Sequence, residues 1–223
     1  MTVVFSDVGG TIFEGAPWTH LQQHPLWNKE RGRWEFMKFL PTYIGSKTSL
    51  VSEMNMRHRW LEGMATILAG IARTDLQAMY RETIQGAMQP IFRSDVVARL
   101  QEHKAQGNTV VLVSGIFVDM VKLIAEDIGV DDAIGTRMAF DSNGIATGKL
   151  TGVPCVGTHK INYMQQYLSD NAPNIALTDC YGYADSYSDR ALLSAVGHSI
   201  ATYPDDNMRT VAQTNGWEII PAS

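Results

Sequence analysis

Cysteine is almost absent from this chain: Cys155 and Cys180 are its only two among 223 residues. They follow no CxxC or metal-ligand spacing, which argues against a disulfide framework or a zinc centre and leaves two reduced, buried thiols as the expectation. Positive charge is also in deficit. Lys and Arg number 18 against 23 Asp and Glu, a formal charge of −5, so no basic stripe exists for a nucleic-acid backbone, and no nucleic-acid partner is expected. No apolar run reaches the length of a membrane span. The first residues enter a strand directly, without a charged start and an apolar signal core, so cytoplasmic residence is expected. His20, His24, His58, His103, His159 and His198 show no tight metal-ligand spacing such as HExxH. Internal repeats and low-complexity segments are missing too.

What is present is a hydrophobic fraction of 45%, enough to bury a core in one large domain or in a core domain with a modest insertion. Residues 3–6, VVFS, read as a short buried strand, and the acid-glycine segment after it as an exit loop. Residues 15–92 change character. They are rich in Trp, Met, Gln, Arg and His and show no convincing strand, which predicts an all-helical insertion. One helical spacing runs through Trp34, Phe36, Met37, Phe39 and Leu40, another from Ser49 to about Ile71. Thr74 and Gln77 make a capping-box signature for a third helix that stops near Pro90. The methionines of this region, Met54, Met56, Met64, Met79 and Met88, are expected in helix cores, with a pocket for a bulky apolar group as the alternative.

After residue 92 helix and strand alternate. Ser94 is placed to cap a helix that ends before Gly107, and NTVVLVSG is apolar enough for a strand buried on both faces. A helix follows, then the sequence MAFDSNGIATGKL, whose Asn-Gly between extended runs is a hairpin signal. A helix from about His159, a strand NIALTD, a helix DRALLSAV, a strand HSIAT, a helix DDNMRTVAQTN and a strand WEII complete the pattern. The expectation is an α/β fold, a doubly wound parallel sheet formed by residues 1–14 and 93–223, with a helical cap over residues 15–92.

Ligands in such sheets bind at the carboxyl ends of the strands, which singles out Asp7, Ser114 and the acids from Asp179 to Asp189, with Lys160 opening a nearby helix. Each is ordinary by itself: Asp-x-Gly-Gly-Thr reads as a turn, Ser-Gly as a loop, and DSYSD as a helix cap. Together they form a phosphate-processing set. Several carboxylates around one spot need a cation to stay ionised, and a hard oxygen-seeking ion such as Mg²⁺ suits them. A lysine and a hydroxyl then hold the phosphoryl oxygens.

The order of these motifs resembles the haloacid dehalogenase (HAD) superfamily. Asp7-Val8-Gly9-Gly10-Thr11 is similar to its DxDx[TV] motif without the second Asp. LVSG with Ser114, Lys160 in VGTHK, and Asp185-Ser186-Tyr187-Ser188-Asp189 follow in the family's order. The tail and the position of the insertion resemble the phosphoserine-phosphatase-like branch, which carries a helical cap after the first motif. The resemblance implies a phosphatase acting on a small phosphorylated metabolite, with Asp7 as nucleophile and an aspartyl-phosphate intermediate. Thr11, Ser114, Gly115 and Lys160 would surround the phosphoryl group. Asp7, the Gly9 carbonyl, Asp185 and Asp189 would bind Mg²⁺, Asp189 and Ser186 directly or through water. Glu14, Trp18 and Arg57 are the cap-side residues expected to meet the rest of the substrate. Asp179 is expected to be structural.

Gly9 stands where the family places its general acid-base carboxylate. Three readings stay open: a weakened phosphatase, an enzyme that takes its proton from substrate, solvent or a cap residue such as His20 or His24, and a non-catalytic binder of phosphorylated ligands. Carbon-phosphorus cleavage would need a reactive lysine, for which Lys29, Lys38 and Lys47 are the insertion's candidates. A homodimer is an open alternative for the assembly.

Overall fold

The computed structural model describes residues 1–220. In chain order, β1 (Val3–Ser6) is followed by α1 (Trp18–Leu21), α2 (Lys29–Lys47), α3 (Glu53–Ile67) and α4 (Arg73–Thr83). Then come α5 (Ser94–Ala105), β2 (Thr109–Phe117), α6 (Val118–Ile128), β3 (Asp132–Phe140), β4 (Ala146–Thr151), α7 (His159–Asn171), β5 (Tyr181–Ala184), α8 (Arg190–Ala195), β6 (His198–Thr202), α9 (Asp206–Asn215) and β7 (Glu218–Ile220). The strands form one sheet in the order β4-β3-β2-β1-β5-β6-β7. Its pairings are parallel except β3 with β4. The expected α/β class, a doubly wound and mostly parallel sheet, is what the chain adopts.

Both faces of the central strands are covered, and the two-residue period of a strand divides them. Val4, Val110 and Leu112 face a hydrophobic cluster that also holds Met64, Leu68, Leu76, Met79 and Met88 from the segment between β1 and β2. Val3, Phe5, Val111 and Val113 face the opposite cluster with Met164, Leu168, Leu192 and Met208 from the later helices. The helical segment therefore shares a core with the sheet. Its backbone is also tied to the β3–β4 hairpin, where Gly70 N–H donates to Ala146 O at 2.8 Å and Ala146 N–H to Ile71 O at 2.9 Å. The hairpin turn forms at Asn143-Gly144, with Asp141 Oδ1 accepting the amides of Asn143 and Ile145, each at 2.9 Å. Met64, Met79 and Met88 are buried as helix core, whereas Trp34, Phe36 and Met37 of α2 point to solvent. Among the described residues, no helix is long and apolar enough to cross a membrane. Both cysteines are free and buried.

Three local expectations are corrected. The stretch NIALTD is not a strand: Leu177–Asp179 make a 3-10 turn, and the strand is Tyr181–Ala184. The Asp179 carboxylate accepts the Ala176 amide at 3.1 Å and closes that turn, while Ile175 and Leu177, partly buried, pack against the second cluster. Thr74 and Gln77 form no capping box; α4 begins at Arg73, whose amide is taken by Gly144 O at 2.9 Å, so hairpin backbone does the capping. Ser94 is the first residue of α5 and not its cap, because the preceding Arg93 is pinned by its amide to Ile12 O at 2.8 Å.

The sheet's two windings separate at β1. The chain moves from β1 outward through β2 and β3, then returns to lay β5 on the other side of β1. The carboxyl ends of β1 and β5 therefore flank the crevice where such folds bind ligands. Gly197, entering β6, passes so close to Thr178 that a Cβ would sit 1.9 Å from its carbonyl oxygen. Gly197→Ala is expected to lose about 1–3 kcal/mol of stability in urea unfolding; an unchanged midpoint would refute this packing.

Candidate active site

Asp7 directly follows β1, and its amide donates to Tyr183 O in β5 at 2.8 Å, which fixes the first carboxylate beside the second strand. Asp185 directly follows β5. Asp189 ends the short turn after it and is buried. One carboxylate oxygen from each of Asp7, Asp185 and Asp189 lies within 4.8 Å of the others. Lys160, at the start of α7, is 3% exposed and places Nζ 2.5 Å from Asp7 Oδ1 and 2.8 Å from Asp189 Oδ1. Ser114, in β2 two residues past the register of β1, is buried on the same side.

Two positions hold Asp185. Thr11 Oγ1 donates to Asp185 Oδ1 at 3.1 Å. Gly10 adopts φ +81, and a Cβ there would lie 2.0 Å from Asp185 Oδ2. A side chain would thus collide with the carboxylate as well as strain the backbone. Gly9 is different. It is not in the left-handed region, and a Cβ would meet only Gly15 O at 3.7 Å, an ordinary contact.

The electrostatics follow from burial. Asp185 is pushed up to about 7 by desolvation and then by the charges of Asp7 and Asp189. Asp7 rises to about 6, again mainly by desolvation, with Lys160 pulling the other way. The Lys160 ammonium is stabilised in its charged form, because attraction to Asp189 and Asp7 outweighs its own desolvation. Three carboxylates against one ammonium leave two negative charges unmatched when all are ionised. This donor set, all oxygen and closely spaced, fits a hard divalent cation such as Mg²⁺. The nearby Cys155 thiol is pushed up to about 12 by burial and is inert.

A cavity of about 420 Å³ opens onto this cluster. Its lining brings together Asp7, Gly9, Ser114, Gly115, Lys160, Asp185, Ser186 and Asp189 with Trp18 and Arg57. Thr11 is behind the wall, holding Asp185, and Glu14 is exposed outside the lining. None of the six histidines lines the cavity; His24 instead meets Glu82 at 3.1 Å. Lys38 pairs with Glu35, and Lys29, Lys38 and Lys47 lie exposed on α2.

Sequence reasoning passed over four contributors. Trp60 and Leu61 stand with Arg57 on one face of α3, the i, i+3, i+4 set, and line the cavity. Arg93 lines it from the junction before α5, its guanidinium 3.8 Å from the Tyr203 ring and its Nη1 buried without a hydrogen-bond partner. Asp205 organises the loop after β5: its amide donates to Asp185 O at 3.0 Å, and its carboxylate accepts the amides of Tyr187 and Met208, each at 2.8 Å. The helical period could have flagged Trp60; nothing local in the sequence marks Arg93.

A family model described as haloacid dehalogenase-like hydrolase matches residues 4–194. A Streptomyces azureus protein named "Inhibition of morphological differentiation protein" is 28% identical over 167 residues, 73% of this chain and 59% of that one. "Phosphoserine phosphatase SerB1" of Mycobacterium tuberculosis is 35% identical over 119 residues, 53% of this chain and 38% of that one. The chain spans 54–59% of the length of the first curated relatives it matches. A structure of a Bordetella pertussis Tohama I protein with unknown function superposes with a TM-score of 0.82 at 23% identity, covering 98% of this chain and 97% of the other. A substrate-bound phosphoserine phosphatase superposes at 0.66 with 16% identity, covering 99% and 92%. Both structures share the fold.

The buried acids give a pH dependence. Asp7 and Asp185 titrate near 6 and 7 in the folded chain against 3.8 for free carboxylates. Without a cation, the folded chain then holds more protons than the unfolded one across that interval, so their contribution to stability is full below about pH 4 and is lost as pH rises through 7. Added Mg²⁺ is expected to raise the melting temperature more at pH 8 than at pH 5, read by thermal shift. An equal rise at both would contradict this cluster as the cation site.

Proposed function

This chain belongs to the haloacid dehalogenase-like hydrolases, and we propose that within them it is a Mg²⁺-dependent phosphomonoesterase of the phosphoserine-phosphatase-like kind, acting on a small phosphorylated metabolite. The observation that carries this reading is the buried pairing of Lys160 with both Asp7 and Asp189 on the floor of the cavity.

In this reading Asp7, Asp185, Asp189 and the Gly9 carbonyl hold the cation. When bound, the ion neutralises the unmatched carboxylates and the phosphoryl oxygens so that an anionic nucleophile can meet an anionic ester. Lys160 favours the ionised form of Asp7 against its desolvation and holds its Oδ1, leaving Oδ2 to attack phosphorus. A bond forms from Asp7 to phosphorus as the ester P–O bond breaks, and the electron pair leaves with the ester oxygen. Ser114, with Lys160, receives the phosphoryl oxygens. Water then attacks phosphorus, releasing inorganic phosphate and restoring the Asp7 carboxylate. The covalent step divides one hard displacement into two easier ones.

Gly9 withholds the carboxylate that would protonate the leaving oxygen and later activate water. The loss of such a group costs roughly 10²- to 10⁴-fold. The space is open, since a Cβ at Gly9 meets only an ordinary contact. Gly9→Asp is therefore expected to fold normally and to raise hydrolysis of alkyl phosphates by roughly 10²- to 10⁴-fold with Mg²⁺ present, while Asp7→Asn abolishes turnover. Steady-state phosphate release measures both. If the chain and Gly9→Asp are inert even toward an activated aryl phosphate, yet bind Mg²⁺ and a phosphate analogue, the protein is a binder and the enzyme reading falls.

A further inference from the structure

We propose that the phosphorylated group is an acidic aromatic hydroxyl, so that the preferred substrate is an aryl phosphate and not an alkyl phosphate. This rests on the phosphomonoesterase reading and deepens it.

The first support is the set of groups facing the leaving oxygen. The titratable side chains of the lining are Asp7, Asp185, Asp189, Lys160, Arg57 and Arg93. Asp7, Asp185 and Asp189 belong to the carboxylate cluster, and Lys160 is shared between Asp7 and Asp189. The arginines do not give up a proton at ordinary pH. No histidine reaches the lining. An alkoxide, whose conjugate acid resembles water with a pKa of about 16, leaves poorly with no donor. A phenoxide, with a pKa of about 10, leaves unprotonated far more readily.

The second support is the wall above the cluster. Trp18 and Trp60 enter it from the segment between β1 and β2, and Leu61, Ile116 and Val156 complete an apolar surface. Both indoles are braced from behind. Trp18 packs edge-on against Phe117 with ring centroids 5.3 Å apart, and Trp60 packs against Phe39 at 5.0 Å. Such rings offer a fixed surface for a planar aromatic group. At about 420 Å³ the cavity is large enough for a phosphate and one small ring system. Arg93 adds positive charge to the same lining, its Nη1 buried with no partner, while the guanidinium of Arg57 is paired with Glu53 at 3.0 Å. That favours a group that departs as an anion.

The step balances without an added proton donor. The bond from Asp7 to phosphorus forms, the bond from phosphorus to the aryl oxygen breaks with both electrons going to oxygen, and the aryloxide takes its proton from water after release.

The test compares the full chain, with Mg²⁺, on substituted phenyl phosphates, on phosphoserine and glycerol phosphate, and on acetyl phosphate, whose leaving group is acidic but not aromatic. The expected result is kcat/KM at least about 100-fold higher for phenyl than for alkyl phosphates, falling steadily as the leaving-group pKa rises, with a flatter slope in Gly9→Asp. Trp60→Ala is expected to lower the ratio of phenyl to acetyl phosphate kcat/KM by about tenfold, and Trp60→Phe to retain it. Equal or better hydrolysis of phosphoserine or glycerol phosphate overturns the proposal while the phosphomonoesterase reading stands. An unchanged phenyl-to-acetyl ratio in a folded Trp60→Ala overturns its aromatic part. Failure on every ester removes the phosphomonoesterase reading and the proposal with it.

Discussion

One buried ammonium among three carboxylates is the constraint around which this molecule is arranged. Lys160 is nearly inaccessible and touches both Asp7 and Asp189, while Asp185 sits close by with no cationic side chain among its strongest influences. Burying a charge is costly unless it is paired and hydrogen-bonded. Here the pairing is incomplete, and desolvation, with the mutual repulsion of the carboxylates behind it, raises Asp7 and Asp185. The arrangement makes physical sense as a receptor for a cation. Its supports are consistent with that role: Thr11 and Asp205 fix the Asp185 segment, and Gly10 leaves room for its carboxylate.

Sheet topology supplies the convergence. Asp7 and Asp185 are far apart in sequence but end neighbouring parallel strands at the point where the chain changes direction across the sheet. The helical segment contributes the other half of the cavity. Because it shares a hydrophobic cluster with the sheet and is bonded to the β3–β4 hairpin, its α3 face holds Trp60 and Arg57 over the carboxylates without a separate core of its own. Gly9 then becomes the informative position. It keeps a backbone carbonyl and carries no side chain at a place where one would fit, so the proposed requirement for a good leaving group rests on chemistry and not on crowding.

Much of this was legible in the residues. The buried strands VVFS and HSIAT, the Asn-Gly hairpin and the helices after residue 92 announce themselves because local period and turn chemistry agree with the tertiary fold. The four polar motifs were recognisable as a set because strand ends concentrate functional groups. The misplaced strand at NIALTD has a definite cause: Ile175 and Leu177 pack, partly buried, against the second cluster from a loop and a tight turn, so packing imitates a strand without strand pairing. The capping box at Thr74 fails because long-range hairpin backbone satisfies the helix start. Arg93 and Asp205 were invisible for a related reason, since their positions depend on contacts across the fold and no local pattern encodes them. The outward-facing Trp34, Phe36 and Met37 likewise show that helical spacing identifies a helix but does not say which face is covered.

The central claim is that Asp7 carries the phosphoryl group. Rapid quenching during turnover of a phenyl phosphate, followed by borohydride reduction and peptide mass spectrometry, tests it directly, because an aspartyl phosphate is reduced to homoserine whereas a free carboxylate is not. The account predicts homoserine at position 7, dependent on substrate and Mg²⁺ and missing in Asp7→Asn. Sustained phosphate release with position 7 unmodified, or modification at another residue, would contradict it.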